Sequence, residues 1–401
     1  MSSLWRNRDF VLLWSGQTAS TLGTRTSAVA FPLLVLTMTG SPGEAGLAGS
    51  AATLPYLLFY LHAGALLDRW DRKRTMLWCD VGRVVALGSI PVALWAGRLT
   101  FAQIVVAGFA GGTFAAFFNV AERAALPALV PQAQMTAALA QQETKMEVAV
   151  LAGPPFGGFL YGLSHALPFL ADAVSYVFSL VTLVFVRTDL KAERAQAAGA
   201  LHHEIRAGLR WLWAQPFIRL TVLLMAVVNL MFQAFTLILI VLAQKLGASS
   251  STTGILLGLL GVGGLLGAFA ASRIQRRLSL RAVTIGSTWA WALLLIPIAL
   301  APGPWALAPF VAAMTFVSPV WNVVVVGYQY TVIPAELLAR VKSVILLVSW
   351  GAMPFGSLSA GLLLQFTGPR ESMLALAGLT LLVAAVATAS RAVRLQPAPA
   401  G

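Results

Sequence analysis

Apolar segments of 20 residues or more recur along the whole 401-residue chain. Each is long enough to cross a hydrocarbon core of about 30 Å as a helix. Lipid offers no hydrogen-bond partners, so such a chain folds either as a bundle of spanning helices or as a closed barrel. Barrel strands alternate apolar and polar residues over about ten positions, whereas these segments are apolar throughout. The sequence therefore reads as an all-α polytopic membrane protein. Only 10% of its residues are charged, against about 25% in soluble domains.

Twelve spans are predicted near residues 10–38, 43–67, 76–97, 101–121, 136–161, 167–186, 220–243, 252–272, 282–301, 304–330, 343–366 and 371–390. The net charge of +13 could point to nucleic acid, but its distribution points elsewhere. With both termini inside, 21 of the 27 Lys and Arg fall in inner segments and only Arg98, Lys245 and Arg370 in outer ones. That asymmetry is the positive-inside rule. It predicts cytoplasmic termini and a multi-pass protein of a bacterial cytoplasmic (inner) membrane, with the lipid bilayer as its partner and no nucleic acid.

The single cysteine, Cys79, rules out an intramolecular disulfide and a cysteine metal cluster. No metal site, no cofactor and no phosphate-binding loop is expected, and no acid/base cluster marks an enzyme.

The chain divides into an N-terminal bundle (1–186), a cytoplasmic linker (187–219) and a C-terminal bundle (220–401). In the linker, Glu204 to Trp213 reads as an amphipathic helix with Ile205, Leu209 and Leu212 on one side, lying on the membrane. The two bundles repeat each other. Gly153-Pro-Pro-Phe-Gly-Gly158 in the fifth span is echoed by Ala352-Met-Pro-Phe-Gly-Ser357 in the eleventh. Gln17, Thr21 and Thr24 in the first span share the spacing i, i+4, i+7 with Asn229, Gln233 and Thr236 in the seventh, so each trio forms one polar stripe. Parallel six-helix repeats are what a two-bundle alternating-access transporter requires. The stripes, with Arg25 and Asn322, are the candidate lining of a substrate cavity, because lipid would penalise their exposure. Interhelical hydrogen bonding is the other use such residues have.

Gly64-Ala-Leu-Leu-Asp-Arg-Trp-Asp-Arg-Lys-Arg74 follows the second span and packs two acids and four cations into its last seven residues. It resembles the loop between helices 2 and 3 of major facilitator superfamily transporters, on which Gly64, Leu66, Asp68, Arg69, Asp71, Arg72 and Lys73 fall. The resemblance implies the major facilitator fold, with twelve helices in two pseudo-symmetric six-helix bundles. It also implies an inner gate in which Gly64, Asp68, Arg69, Asp71 and Arg72 act with Arg340 of the second half, Asp68 serving as the switch. In the second half, Ala271 and Ile274 stand where Asp68 and Asp71 do.

Gly153, Pro154, Gly157 and Gly158 resemble the helix 5 signature associated with exporters of this superfamily. That implies close packing of the fifth span on the glycine-rich eighth. Within the superfamily the chain is most similar to the enterobactin-exporter and macrolide-efflux branch. The similar stretches include Trp5 to Thr18, Glu122 to Val130, Pro168 to Ala173 and Pro334 to Val341. The implied function is secondary active export of an amphipathic small molecule, drug or secondary metabolite, coupled to protons and carried out by a monomer. A siderophore or lysophospholipid carrier is the alternative, and a non-transporting membrane sensor is the reading from another class.

Relatives in that branch often carry an acid after the Leu-Gly of the first span, whereas this chain has Leu22-Gly23-Thr24-Arg25. Proton coupling then needs other carboxylates. Glu143 and Glu147, a turn apart in the fifth span, share a face, and Lys145 between them points elsewhere. Asp172 in the sixth span is a third candidate, with a local cap as its plainer role. Asp80 and Arg83 read as a local packing pair.

Overall fold

A computed structural model of the chain describes residues 4–67, 70–190, 201–334 and 337–394. Asp68 and Arg69 of the expected gate, and the polar start of the expected linker from residue 191, lie outside these residues. Sixteen α-helices are seen among them, with no strand. The first six are α1 (Arg8–Thr39), α2 (Pro42–Leu67), α3 (Arg72–Trp95), α4 (Phe101–Leu129), α5 (Met135–Leu163) and α6 (Leu167–Val184). Then come α7 (Leu201–Ala214), α8 (Pro216–Lys245), α9 (Ser250–Gln275), α10 (Leu280–Ala299) and α11 (Ala308–Trp321). The rest are α12 (Gly327–Val332), α13 (Leu338–Gly351), α14 (Met353–Thr367), α15 (Pro369–Ala389) and α16 (Arg391–Arg394).

Ten segments among the described residues are long and apolar enough to cross a membrane. They do not include α2 and α5, which are 26 and 29 residues long. The chain is thus a multi-pass membrane protein, although ten segments rather than twelve meet that standard. Two predicted spans are interrupted. The tenth contains a π-helical turn, Asn322–Val326, between α11 and α12. The eleventh divides at Ala352 into α13 and α14, with Pro354 in the first turn of α14, where a missing N–H costs no helical hydrogen bond. By contrast, α5 runs unbroken through Pro154 and Pro155.

Side-chain oxygens close several helix starts, where orphan backbone donors need partners. Asn7, Asp71, Thr100, Ser249 and Ser279 accept from the N–H three residues on, at 3.0–3.2 Å. Asp71 caps α3, and Ser279 performs the same task for α10. The counterpart of Asp71 by role is therefore Ser279, not Ile274, because α9 extends beyond the point at which α2 ends.

The chain forms two compact units, Met1–Ala198 and Gly199–Gly401. In the first, α1 packs on α5, α6 and α2, α4 on α2 and α3, and α3 on α6. In the second, α8 packs on α13, α14, α15 and α9, α11 on α9 and α10, and α10 on α15. Replacing α1–α6 by α8, α9, α10, α11, α13/α14 and α15 turns one scheme into the other. The helix from the expected linker, α7, packs on α13 and α8 of the second unit. Leu212 is buried there beside Ile218, Val341 and Val344, while Leu209 stays exposed. A Cβ on Gly208 would press on the Arg340 carbonyl.

Candidate functional site

The basic end of the loop after α2 is fixed inside the first unit. Arg72 Nη1 donates to the Ala124 carbonyl of α4 at 2.9 Å, and Lys73 Nζ donates to the carbonyls of Val184 and Val186 at 3.1 and 2.6 Å. A cation at the C-terminal end of α6 satisfies orphan carbonyls and matches the helix dipole. Asp71 is engaged as the α3 cap, with Arg74 at 3.7 Å. Gly64 faces open space, and Arg340 is exposed on α13. Among the described residues, then, the loop provides helix caps.

The helix 5 glycines meet α1. A Cβ on Gly153 would collide with Arg25, and one on Gly157 with the Thr26 carbonyl. Pro154 and Gly158 are buried on the same stretch. Gly356 of α14 stands in the same way against Leu230 and Gln233 of α8. The glycines of α9 have α11 as their neighbour, Gly263 against Ala312 and Gly267 against Phe316. The close approaches at these glycines are thus made within each repeat.

The polar stripe of α1 divides into two surfaces. Gln17 is 4% exposed and donates through Nε2 to Ser179 Oγ at 2.8 Å. It therefore belongs to the interior of the unit and not to an exposed lining. Thr21 donates to its own helix. Thr24 and Arg25 are exposed. Thr24 Oγ1 lies 2.8 Å from the Tyr176 hydroxyl, and Arg25 Nη2 lies 3.4 Å from Met146 Sδ. Arg25 is also within electrostatic reach of Glu147 and Tyr56. Glu147, half-buried on α5, interacts with Glu143 and Arg25 together. Lys145 turns away from both and holds Glu122 of α4 at 2.8 Å.

Behind this surface lies a buried polar seam between α1, α3, α4 and α6. Arg83 Nη2 meets Asp80 Oδ1 at 2.5 Å, and Asp80 Oδ2 accepts from Ser179 Oγ at 2.7 Å. The Arg83 guanidinium is 4.4 Å from the centres of both the Phe118 and Tyr176 rings, a desolvated cation–π geometry. Farther along α1, Ser27 Oγ donates to Asp172 Oδ2 at 2.5 Å. Gly16 and Gly23 allow α6 to come this close, since a Cβ on either would strike Thr182 or Ser175. Asp80 and Arg83 are thus more than a local pair, and Asp172 more than a cap. A charge pair spaced i, i+3 in an apolar helix was the available sequence signal for the first. Tyr176, Ser179 and Ser27 carried none.

In the second unit Asn229 Nδ2 donates to the Ser349 carbonyl at 3.2 Å, and Thr236 donates to its own helix. Gln233 is partly buried, and Asn322 is exposed at the start of the π-helical turn. Among the described residues no group of three or more His, Cys, Asp or Glu could hold a metal ion.

A family model described as a transmembrane secretion effector matches residues 2–399. The chain is 27% identical over 401 residues to the multidrug efflux pump Tap of Mycolicibacterium fortuitum, with 96% of each chain covered. It is 25% identical over 189 residues to macrolide efflux protein A of Streptococcus pyogenes, 47% of each chain. Among solved structures, a mutant of the nucleoside transporter NupG has a TM-score of 0.78 at 11% identity, covering 95% of this chain and 99% of that one. A bacterial homologue of the human lysosomal transporter Spinster also reaches 0.78, at 14% identity and 99% and 98% coverage. At those identities the likeness is one of fold, and the fold is that of major facilitator transporters.

Proposed function

We propose that this chain, which belongs to the transmembrane secretion effector family of the major facilitator superfamily, exports amphipathic small molecules by proton antiport. In this reading its two repeats work by alternating access, and the substrates are drugs or secondary metabolites. The names of the relatives, a multidrug efflux pump and a macrolide efflux protein, support export. One observation carries the coupling: among the described residues, every buried charged side chain lies in the first repeat, namely Asp80, Arg83, Glu122, Lys145 and Asp172. Ionisable groups inside a membrane protein are expensive and mark ion pathways and proton relays.

The exposed surface of Thr24 and Arg25, with Glu147 and Tyr56 in reach, supplies the first repeat's polar contacts to substrate. Asn229, Gln233, Thr236 and Asn322 have the same role in the second. Asp68 remains the proposed switch of the inner gate, with Arg72 and Lys73 as its anchors. Because Arg25 is an exposed cation, an anionic amphiphile such as a lysophospholipid or siderophore is the second reading.

The test is transport by the purified chain in proteoliposomes, using cationic, neutral and anionic fluorescent amphiphiles with and without a pH gradient. Gradient-dependent export of cationic or neutral probes is expected. Export indifferent to the gradient would defeat antiport and leave export standing. Movement of the anionic probe alone would favour the second reading.

A further inference from the structure

Asp172 is fully buried, and among the described residues the cation in its electrostatic reach is Arg83. From α1 it faces the Ser27 hydroxyl, which donates to Oδ2. From α3 it is in electrostatic reach of Arg83, but that guanidinium is already bound to Asp80 and enclosed by two rings. From its own helix come Ser175, which donates to the Asp172 backbone carbonyl, and the Tyr176 hydroxyl. Oδ1 has no hydrogen bond of ordinary geometry. An ionised carboxylate so placed would be a fully buried charge held by hydroxyl donors and without a counter-ion of its own, which is unfavourable. A carboxylic acid in the same place has a hydroxyl to donate, and an acceptor stands next to it.

We infer that Asp172 carries the coupling proton and that Tyr176 and Thr24 form the hydroxyl relay joining it to the exposed side of α1. The assignment rests on the antiport reading. In the loaded state the Asp172 O–H donates to the Tyr176 oxygen, the Tyr176 O–H to Thr24 Oγ1, and the Thr24 O–H to the Ser20 carbonyl, the last contact measuring 2.9 Å. On release, Thr24 gives its proton to water and takes that of Tyr176, which takes that of Asp172. Each hydroxyl loses one proton and gains one. Only the carboxyl and the water change charge, and the chain of donors then points back towards Asp172. Release therefore needs water at Thr24, on the exposed surface that also carries Arg25. Substrate and proton compete there for one opening, which is the condition for exchange.

The test combines infrared spectroscopy of the purified full chain with ethidium transport in proteoliposomes. Wild type is expected to show the carbonyl stretch of a protonated carboxyl that titrates with pH, and Asp172→Asn to lack it. Asp172→Asn is also expected to lose gradient-driven ethidium accumulation, falling to the gradient-free level, while still exchanging ethidium against ethidium. Tyr176→Phe keeps the ring over Arg83 and removes the relay hydroxyl. Its carboxyl band should persist, with slowed proton exchange after a pH jump and reduced gradient-driven accumulation. This variant also tests the assignment if Asp172→Asn does not fold. A band that survives Asp172→Asn, or gradient-driven transport unchanged in either variant, overturns the assignment and spares antiport. Gradient-independent transport by wild type removes both.

Discussion

Asp80→Ala is the sharpest test of what holds the first repeat together. Removing that carboxylate leaves the Arg83 guanidinium, which is 5% exposed, without its partner at 2.5 Å. Breaking a buried pair from one side costs about 3–5 kcal/mol, because the remaining charge stays uncompensated. Ser179 loses its acceptor as well, worth about 1 kcal/mol. The rings of Phe118 and Tyr176 lie over the guanidinium before and after the substitution, so they cancel and the broken pair dominates the loss. For a unit of some 200 residues this lowers the unfolding midpoint by roughly 6–20 °C, at about 2–4 °C per kcal/mol. The chain carries its own reporter, since its single cysteine, Cys79, is 4% exposed and meets a thiol-reactive fluorophore when α3 opens. Asp80→Ala/Arg83→Met should regain most of the loss, because an apolar replacement of a whole buried pair is often neutral. The reasoning fails if Asp80→Ala unfolds with the wild type, or if the double variant is no more stable than Asp80→Ala.

Gly157→Ala should lower the same midpoint by an amount equivalent to about 1–3 kcal/mol, the usual range for overpacking, because its Cβ meets the Thr26 backbone. Gly286→Ala, where a Cβ meets nothing within 4 Å, should hold or raise it. Lys73→Ala frees the carbonyls of Val184 and Val186, so amide exchange at the end of α6 should quicken, and Lys73→Arg should restore it. Lys145→Met leaves the Gln142 side-chain amide, at 3.1 Å, donating to a Glu122 carboxylate that has lost its counter-charge. A loss of about 3 kcal/mol, the low end for a broken buried pair, should be recovered in the thermal assay by adding Glu122→Gln.

Length and apolarity made most of the helices legible, because a chain in lipid must satisfy its own backbone. The repeat was legible too, in the helix 5 motif and the two stripes, since both repeats pack by one scheme. Partners were not. A glycine announces a close approach without naming the neighbour, and so Gly153 and Gly157 turned out to face Arg25 and Thr26. A stripe at helical spacing gives a direction but not what stands there. Gln17 and Thr24 lie on nearly the same face, yet one is covered by α6 and the other exposed. The spacing of Asp80 and Arg83 was enough to pair them, which concealed the bond from Asp80 to Ser179 and the two rings around Arg83.

The two repeats share a scaffold but divide the electrostatics. Where the first has Asp80 and Arg83 on α3 and Asp172 on α6, the buried polar residues of the second on α10 and α15 are Thr284, Ser287, Thr288, Ser372 and Thr380. Thr284, Thr288 and Thr380 each donate to a carbonyl of their own helix, a bond that does not depend on protonation. A hydroxyl satisfied in this way biases its helix equally at every pH. A buried carboxyl does not, because gaining or losing its proton changes which neighbouring hydroxyls donate and which accept. In the antiport reading, a pH-linked rearrangement therefore begins along the α1–α6 seam of the first repeat. The second repeat can answer it through backbone geometry instead, and the π-helical turn from Asn322 to Val326, a type of irregularity frequent at functional sites, is where its helical ladder is already interrupted.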